Sequence, residues 1–126
     1  MRKLLLALTL LLGCQTAAMA QLEGPSLWKN QNGSELRITS ASRGTIRGTF
    51  TNRAAGFGCQ GTPYPVTGTT GGTQIIFTVS FAKCRSTATW RGSVQGLGMT
   101  TPWVLRYVSN GAPATKTGFD FFSRFQ

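Results

Sequence analysis

Histidine is absent from this 126-residue chain, and Glu23, Glu35 and Asp120 are its only acidic side chains. Each shortage excludes a kind of chemistry. Without an imidazole base, neither a Ser-His-Asp nor a Cys-His arrangement can be assembled. A paired-carboxylate mechanism needs two acids in one cleft, and only three exist to share. The three cysteines, Cys14, Cys59 and Cys84, are too scattered for a zinc cluster. Catalysis is therefore the least favoured class, and neither a metal nor a cofactor is expected. Extended apolar runs are also lacking, apart from Leu4 to Leu12, which is too short to span a bilayer.

The opening segment has the form of a targeting signal. Arg2 and Lys3 precede the apolar run, and Ala18-Met19-Ala20 supplies the small-x-small pattern read by signal peptidase. This predicts a signal peptide over residues 1–20, one domain over 21–126 and a secreted or periplasmic product. Leu11-Leu12-Gly13-Cys14 is a rival, lipoprotein-like site that would leave Cys14 lipidated and is the only route foreseen to a membrane. Cleavage after Ala20 removes two cations and no acid, lowering the formal net charge from +10 to +8. It also leaves Cys59 and Cys84, which form either one disulfide or two buried free thiols; an oxidising compartment favours the disulfide.

Beyond residue 20 no helical period is sustained. Stretches rich in Thr, Val, Ile and aromatics alternate with Gly, Asn, Ser and Pro clusters, which predicts an all-β chain. Strands are expected near 26–30, 34–41, 45–52, 64–69, 74–82, 86–95, 100–108 and 117–125. Turn chemistry separates them at Gln31-Asn32-Gly33, Ser42-Arg43-Gly44, Thr70-Gly71-Gly72, Gln95 to Gly98 and Ser109-Asn110-Gly111. Eight short strands with mostly tight connections predict an eight-stranded antiparallel up-and-down β-barrel, whose closure removes edges that would otherwise pair with other chains.

Alternation sorts the two faces. Ile46, Gly48, Phe50 and Asn52 share one face, as do Ser86, Ala88, Trp90 and Gly92, while Arg47, Arg53, Arg85 and Arg91 fall on the other. The inner face thus collects aromatics together with Asn30, Asn52, Ser86 and Asp120. A fully packed small barrel would not hold so many polar groups, whereas an eight-stranded barrel has room for one small ligand. Asp120 shares its face with Phe122. An unpaired charge there would be costly, and a ligand N–H would offset the cost.

These residues resemble the avidin and streptavidin family. Ser26-Leu27-Trp28-Lys29-Asn30-Gln31-Asn32-Gly33-Ser34 is similar to that family's first hairpin. Gly48-Thr49-Phe50, Tyr64-Pro65-Val66-Thr67-Gly68, Phe77-Thr78-Val79-Ser80-Phe81, Ala88-Thr89-Trp90-Arg91-Gly92, Trp103-Val104-Leu105 and Gly118-Phe119-Asp120 follow in the family's order. Asn52 to Cys59, with Thr62-Pro63-Tyr64-Pro65, resembles the loop of its rhizavidin-type dimeric bacterial branch.

The resemblance implies a non-catalytic biotin-binding protein with a Cys59–Cys84 bridge between the loops after strands three and five. Asn30 and Ser34 would hydrogen-bond the ureido oxygen of biotin, and Asn52 and Asp120 would accept from its two N–H groups. Ser86 would lie near the valerate carboxylate, and Trp90, Trp103 and Phe81 would wall the rings. Three positions depart from the family pattern. Phe50 stands where a tyrosine hydroxyl is usual, Ala88 where a threonine is, and Phe81 where a tryptophan is. Losing a hydrogen bond to a buried ligand atom costs roughly 1–3 kcal/mol, so two such losses imply weakening on the order of 10²- to 10⁴-fold. No tryptophan follows Trp103, which agrees with the dimeric branch. Outward-facing Ile76, Val104, Val108, Phe119 and Phe121 are the expected contact of a homodimer.

Two alternatives stand beside this reading. One is an avidin-fold protein with weakened or altered small-ligand specificity, for which Phe50 and Ala88 argue. The other is a basic secreted β-domain that binds polyanions through outward Arg37, Arg47, Arg53, Arg85 and Arg91. Base stacking needs aromatics interleaved with such cations, and the tryptophans lie on the inner face, so no specific nucleic-acid partner is expected. Polyanion binding falls steeply with salt, whereas a buried small-ligand site barely responds.

Overall fold

The computed structural model describes Leu22 and residues 24–126. The expected signal peptide lies outside the described residues. Eight strands run β1 (Ser26–Lys29), β2 (Glu35–Ser42), β3 (Thr45–Thr51), β4 (Pro63–Gly71), β5 (Gln74–Phe81), β6 (Ser86–Gln95), β7 (Gly98–Ser109) and β8 (Ala112–Arg124). Each pairs antiparallel with its sequence neighbours, and β1 pairs with β8 to close the barrel in the order β1 to β8. The architecture is the one the alternation and turn chemistry imply.

Strand ends differ from expectation in instructive places. The last hairpin was expected to pair only to Val108 and Thr117, but it continues to Ser109↔Ala112. Asn110 and Gly111 adopt φ values of 50° and 75°, the left-handed geometry of a two-residue turn that matches strand twist and lets pairing run to the tip. At the other extreme, β5 stops at Phe81 and a single 3₁₀ turn, Ala82–Cys84, leads into β6. Asn30 and Asn52 lie one residue past the ends of β1 and β3, in loops rather than in strands.

The inner face follows the predicted parity. Ile46 and Phe50, Val66, Ile75, Phe77 and Val79, Ala88 and Trp90, and Phe122 are buried in one continuous core. The inward positions also carry glycines at strand centres. A Cβ at Gly48 would lie 2.9 Å from the Arg37 carbonyl carbon, so the tight coiling of β3 against β2 requires glycine there.

The two ends of the barrel differ. Ile38, Ile46, Ile75, Val94, Met99 and Phe122 fill the end at which β2 meets β3 and β6 meets β7, and Leu22 packs into the same core. The opposite end carries the β1–β2 and β3–β4 loops and the 3₁₀ turn, and it opens into a cavity.

Candidate ligand-binding site

The cavity has a volume of about 90 Å³. That is several times the roughly 10–15 Å³ needed to hold one water. Asn30, Ser34, Phe50, Asn52, Phe81, Ser86, Ala88, Trp90, Trp103 and Asp120, the ten residues singled out from the sequence, all line it. Asn32, Ala54, Phe57, Gly58, Cys84 and Leu105 complete the wall.

Aromatic packing builds the apolar part. Phe77 stacks on Trp90 with ring centroids 4.7 Å apart and planes 11° from parallel. Phe50 lies against the same indole at 4.8 Å and meets Phe81 and Phe122 edge to face. Such pairs contribute about 0.5–1.5 kcal/mol each beyond area burial. They hold the Trp90 ring in one orientation, with its N–H aimed at Asp120. Trp103 is positioned differently. It pairs across the β7–β8 ladder with Gly118, where an added Cβ would lie 2.6 Å from the indole Cε2. Any side chain at residue 118 would displace this wall.

Asp120 is buried, as parity predicted, but its charge is not left for a ligand to satisfy. Trp90 Nε1 donates to Oδ2 at 2.7 Å, and Gln31 Nε2 donates to Oδ1 at 2.8 Å. The cost of burial that argued for a ligand N–H is therefore largely offset within the chain. An ionised carboxylate offers about four lone-pair sites, so two remain for a further donor. Thr101, fully buried on β7, donates to the Asp120 main-chain carbonyl at 3.0 Å and fixes the strand beneath it.

Gln31 and Thr101 escaped the sequence reading. Gln31 sits in the β1–β2 turn and spans 89 residues to reach Asp120. Its Nε2 also donates to the Phe119 carbonyl at 3.0 Å, and its Oε1 accepts from the Phe121 N–H at 2.9 Å. The β1–β8 ladder pairs Trp28↔Arg124 and Lys29↔Ser123, and main-chain bonds between Leu27 and Phe125 and Gln126 continue it in the other direction. The Gln31 carboxamide thus extends the ladder past the end of β1, closing the seam and holding Asp120 together.

The remaining polar groups shape the rim. Asn30 Oδ1 accepts from the main-chain N–H of Asn32 at 3.0 Å and of Ser34 at 2.9 Å, which leaves its amide N–H donors uncommitted by this turn. Ser34 Oγ accepts from the Arg53 N–H at 2.8 Å; its contact to Asn52 Oδ1, at 3.4 Å, is too long to occupy its proton firmly. Asn52 caps its own loop, accepting from the Ala54 N–H at 3.0 Å and donating to the Gly58 carbonyl at 3.1 Å.

That β3–β4 loop is tethered at two points. Cys59 and Cys84 form a disulfide with Cα atoms 6.1 Å apart, joining the loop to the 3₁₀ turn. Phe57 packs edge to face on Trp103 at 6.0 Å, and Lys116 Nζ lies 5.4 Å from the centre of the Phe57 ring. Phe57 is a further wall residue that strand parity, which stops at Thr51, could not place. Among the described residues no three His, Cys, Asp or Glu side chains cluster to hold a metal ion.

The sequence profile of the Avidin family matches residues 17–125. The chain belongs to the avidin family. Proteins of this family are non-catalytic and carry no cofactor. Afifavidin of Afifella pfennigii is 37% identical over 106 residues, covering 78% of this chain and 67% of that protein. Among solved structures, the bradavidin2–biotin complex is similar with a TM-score of 0.81 and 51% identity, covering 83% of this chain and 100% of that one. The rhizavidin–biotin complex follows at 0.77 and 37%, covering 82% and 93%.

Proposed function

We propose that this avidin binds biotin in the barrel mouth, with the ureido ring innermost and the valerate tail at the rim. The observation that carries the reading is the arrangement at Asp120. A buried carboxylate is held by Trp90 and Gln31 with acceptor capacity to spare, at the end of a cavity walled by Trp90, Trp103, Phe50 and Phe81. A planar urea with N–H groups on one side and an oxygen on the other matches that acceptor and the donors of Asn30 and Ser34. Asn52 supplies a second acceptor through Oδ1, and Ser86 faces the tail. The biotin complexes of bradavidin2 and rhizavidin support the choice of ligand. Calorimetric titration of biotin into the oxidised protein at two salt concentrations tests it. Saturation near one biotin per chain with little salt dependence is expected; absence of heat and of thermal stabilisation overturns it.

A second reading, ligand specificity that has drifted from biotin, is favoured by one specific feature. Phe50 is buried, packed 4.8 Å from Trp90, and carries no hydroxyl at a position where the family usually donates to the ureido oxygen. If biotin sits as proposed, Phe50→Tyr tightens binding roughly 5- to 100-fold, the worth of one hydrogen bond to a buried acceptor. An unchanged dissociation constant would instead favour the drifted pocket.

Export and dimerisation belong to the same proposal. The Cys59–Cys84 disulfide is consistent with an oxidising compartment, and the secreted or periplasmic location rests on the Ala18-Met19-Ala20 signal. Phe119, Phe121 and Val108 are 61%, 56% and 55% exposed, with Ile76 and Val104 half-buried on the same outer sheet. A patch of this kind on β5 to β8 is the face proposed for the homodimer.

A further inference from the structure

Five of the eleven described cations lie in the β3–β4 loop, at the 3₁₀ turn and on the last hairpin, the segments at the open end. Arg53 stands between Asn52 and Ala54, both cavity-lining, and Lys83 and Arg85 flank the lining residue Cys84. Arg106 follows the lining residue Leu105, and Lys116 is the ladder partner of Leu105 on β8. All five side chains are exposed. Lys116 is held in place there, with Nζ 5.4 Å from the Phe57 ring and 5.6 Å from the Tyr107 ring. Of the two described acids, Glu35 is the ladder partner of Lys29 on the outer face, and Asp120 is buried in the cavity. Asp120 thus lies inside the cavity, and the open end carries these five cations against one outer-face acid, Glu35, which adjoins the lining residue Ser34.

We propose that this cationic rim is a capture site for the ligand's carboxylate, selecting anionic over neutral tails by rate of entry and turning the N–H end inward. The proposal rests on the biotin reading and deepens it. A ligand with N–H donors at one end and a carboxylate at the other matches the field from Asp120 to the rim; a polyanion matches only the rim. Exposed charges act over about a Debye length, roughly 10 Å at ~0.1 M salt. In water each alters an encounter by roughly twofold, so neutralising three slows entry roughly 3- to 10-fold.

The test is stopped-flow association of biotin and of its neutral primary amide with the oxidised protein, in about 10 mM and about 500 mM salt. Wild type is compared with Lys83→Gln/Arg106→Gln/Lys116→Gln, and with Lys83→Gln/Arg106→Gln, which keeps the Lys116–Phe57 contact. Association of biotin is expected to slow several-fold in high salt and that of the amide to stay constant. In the triple variant biotin enters roughly 3- to 10-fold more slowly at low salt. Its salt dependence is reduced, since Arg53 and Arg85 remain, and the amide rate is unchanged; the double variant falls between, with both dissociation rates as in wild type. Equal rates for acid and amide, or an amide slowed as much as the acid, overturn the rim proposal and leave biotin binding standing. Failure of wild type to bind either ligand overturns the biotin reading, and the rim proposal with it.

Discussion

The two ends of the barrel are made from the same eight strands and obey the same alternation, yet they use it for opposite purposes. At the closed end the inward positions are Ile38, Ile46, Ile75, Val94, Met99 and Phe122, each no more than 3% exposed. At the open end the inward positions include Ser34, Asn52 and Asp120, and their partners come from loops and from across the seam. Dispersion and burial hold the first end and need no particular partner. Directional bonds hold the second and fail if one group moves. The closed half therefore bears the stability that lets the open half keep polar groups poised inside a barrel.

Substitutions at the two ends should separate these roles. Ile38→Ala at the closed end is expected to lower unfolding free energy by about 2–5 kcal/mol in thermal or denaturant melts. The folded fraction should keep wild-type biotin affinity, and a comparable loss of affinity would break the division. Removing the tether with Cys59→Ser and Cys84→Ser costs about 3–4 kcal/mol for a 25-residue separation in the chain-entropy account. Because the bridge sits at the mouth, biotin affinity should fall as well, since the β3–β4 loop must then be ordered on binding.

Asp120→Ala leaves the Trp90 indole N–H without its acceptor. Equilibrium competition should show biotin bound roughly 10- to 150-fold more weakly, the worth of about 1.5–3 kcal/mol for a charged acceptor. Its stability should change less than that of Ile38→Ala, and the reverse order would mean that the carboxylate is chiefly structural. Smallest is Gln31→Ala, an exposed position, with a loss of about 1 kcal/mol or roughly fivefold in affinity. In the ligand-free protein the Trp90 indole N–H resonance should shift, because Asp120 has lost one of its two anchors. An unmoved resonance would reduce Gln31 to a clasp on the seam.

Much of this molecule is legible from residue order because the signals are local. Strand parity follows from the two-residue repeat, so the inward set from Ile46 to Phe50 and from Ala88 to Trp90 is written in residue order alone. Turn chemistry located the hairpins, although it shortened the last one. Thr115 and Lys116 look like loop residues because both are exposed, and only the Asn110-Gly111 turn carries the pairing that far. The Cys59–Cys84 bridge and the ligand roles came instead from resemblance to relatives, since spacing alone does not dictate them.

The amino-acid order by itself therefore determined an eight-stranded barrel with one acid among inward aromatics, because side-chain alternation and turn preference act over a few residues. Closure of the chain decided the rest. It brought Gln31 to Asp120 across 89 positions and Phe57 over Trp103. It also put Arg53, Lys83, Arg85, Arg106 and Lys116 on the elements of the open end, an arrangement of distant residues that no local pattern records.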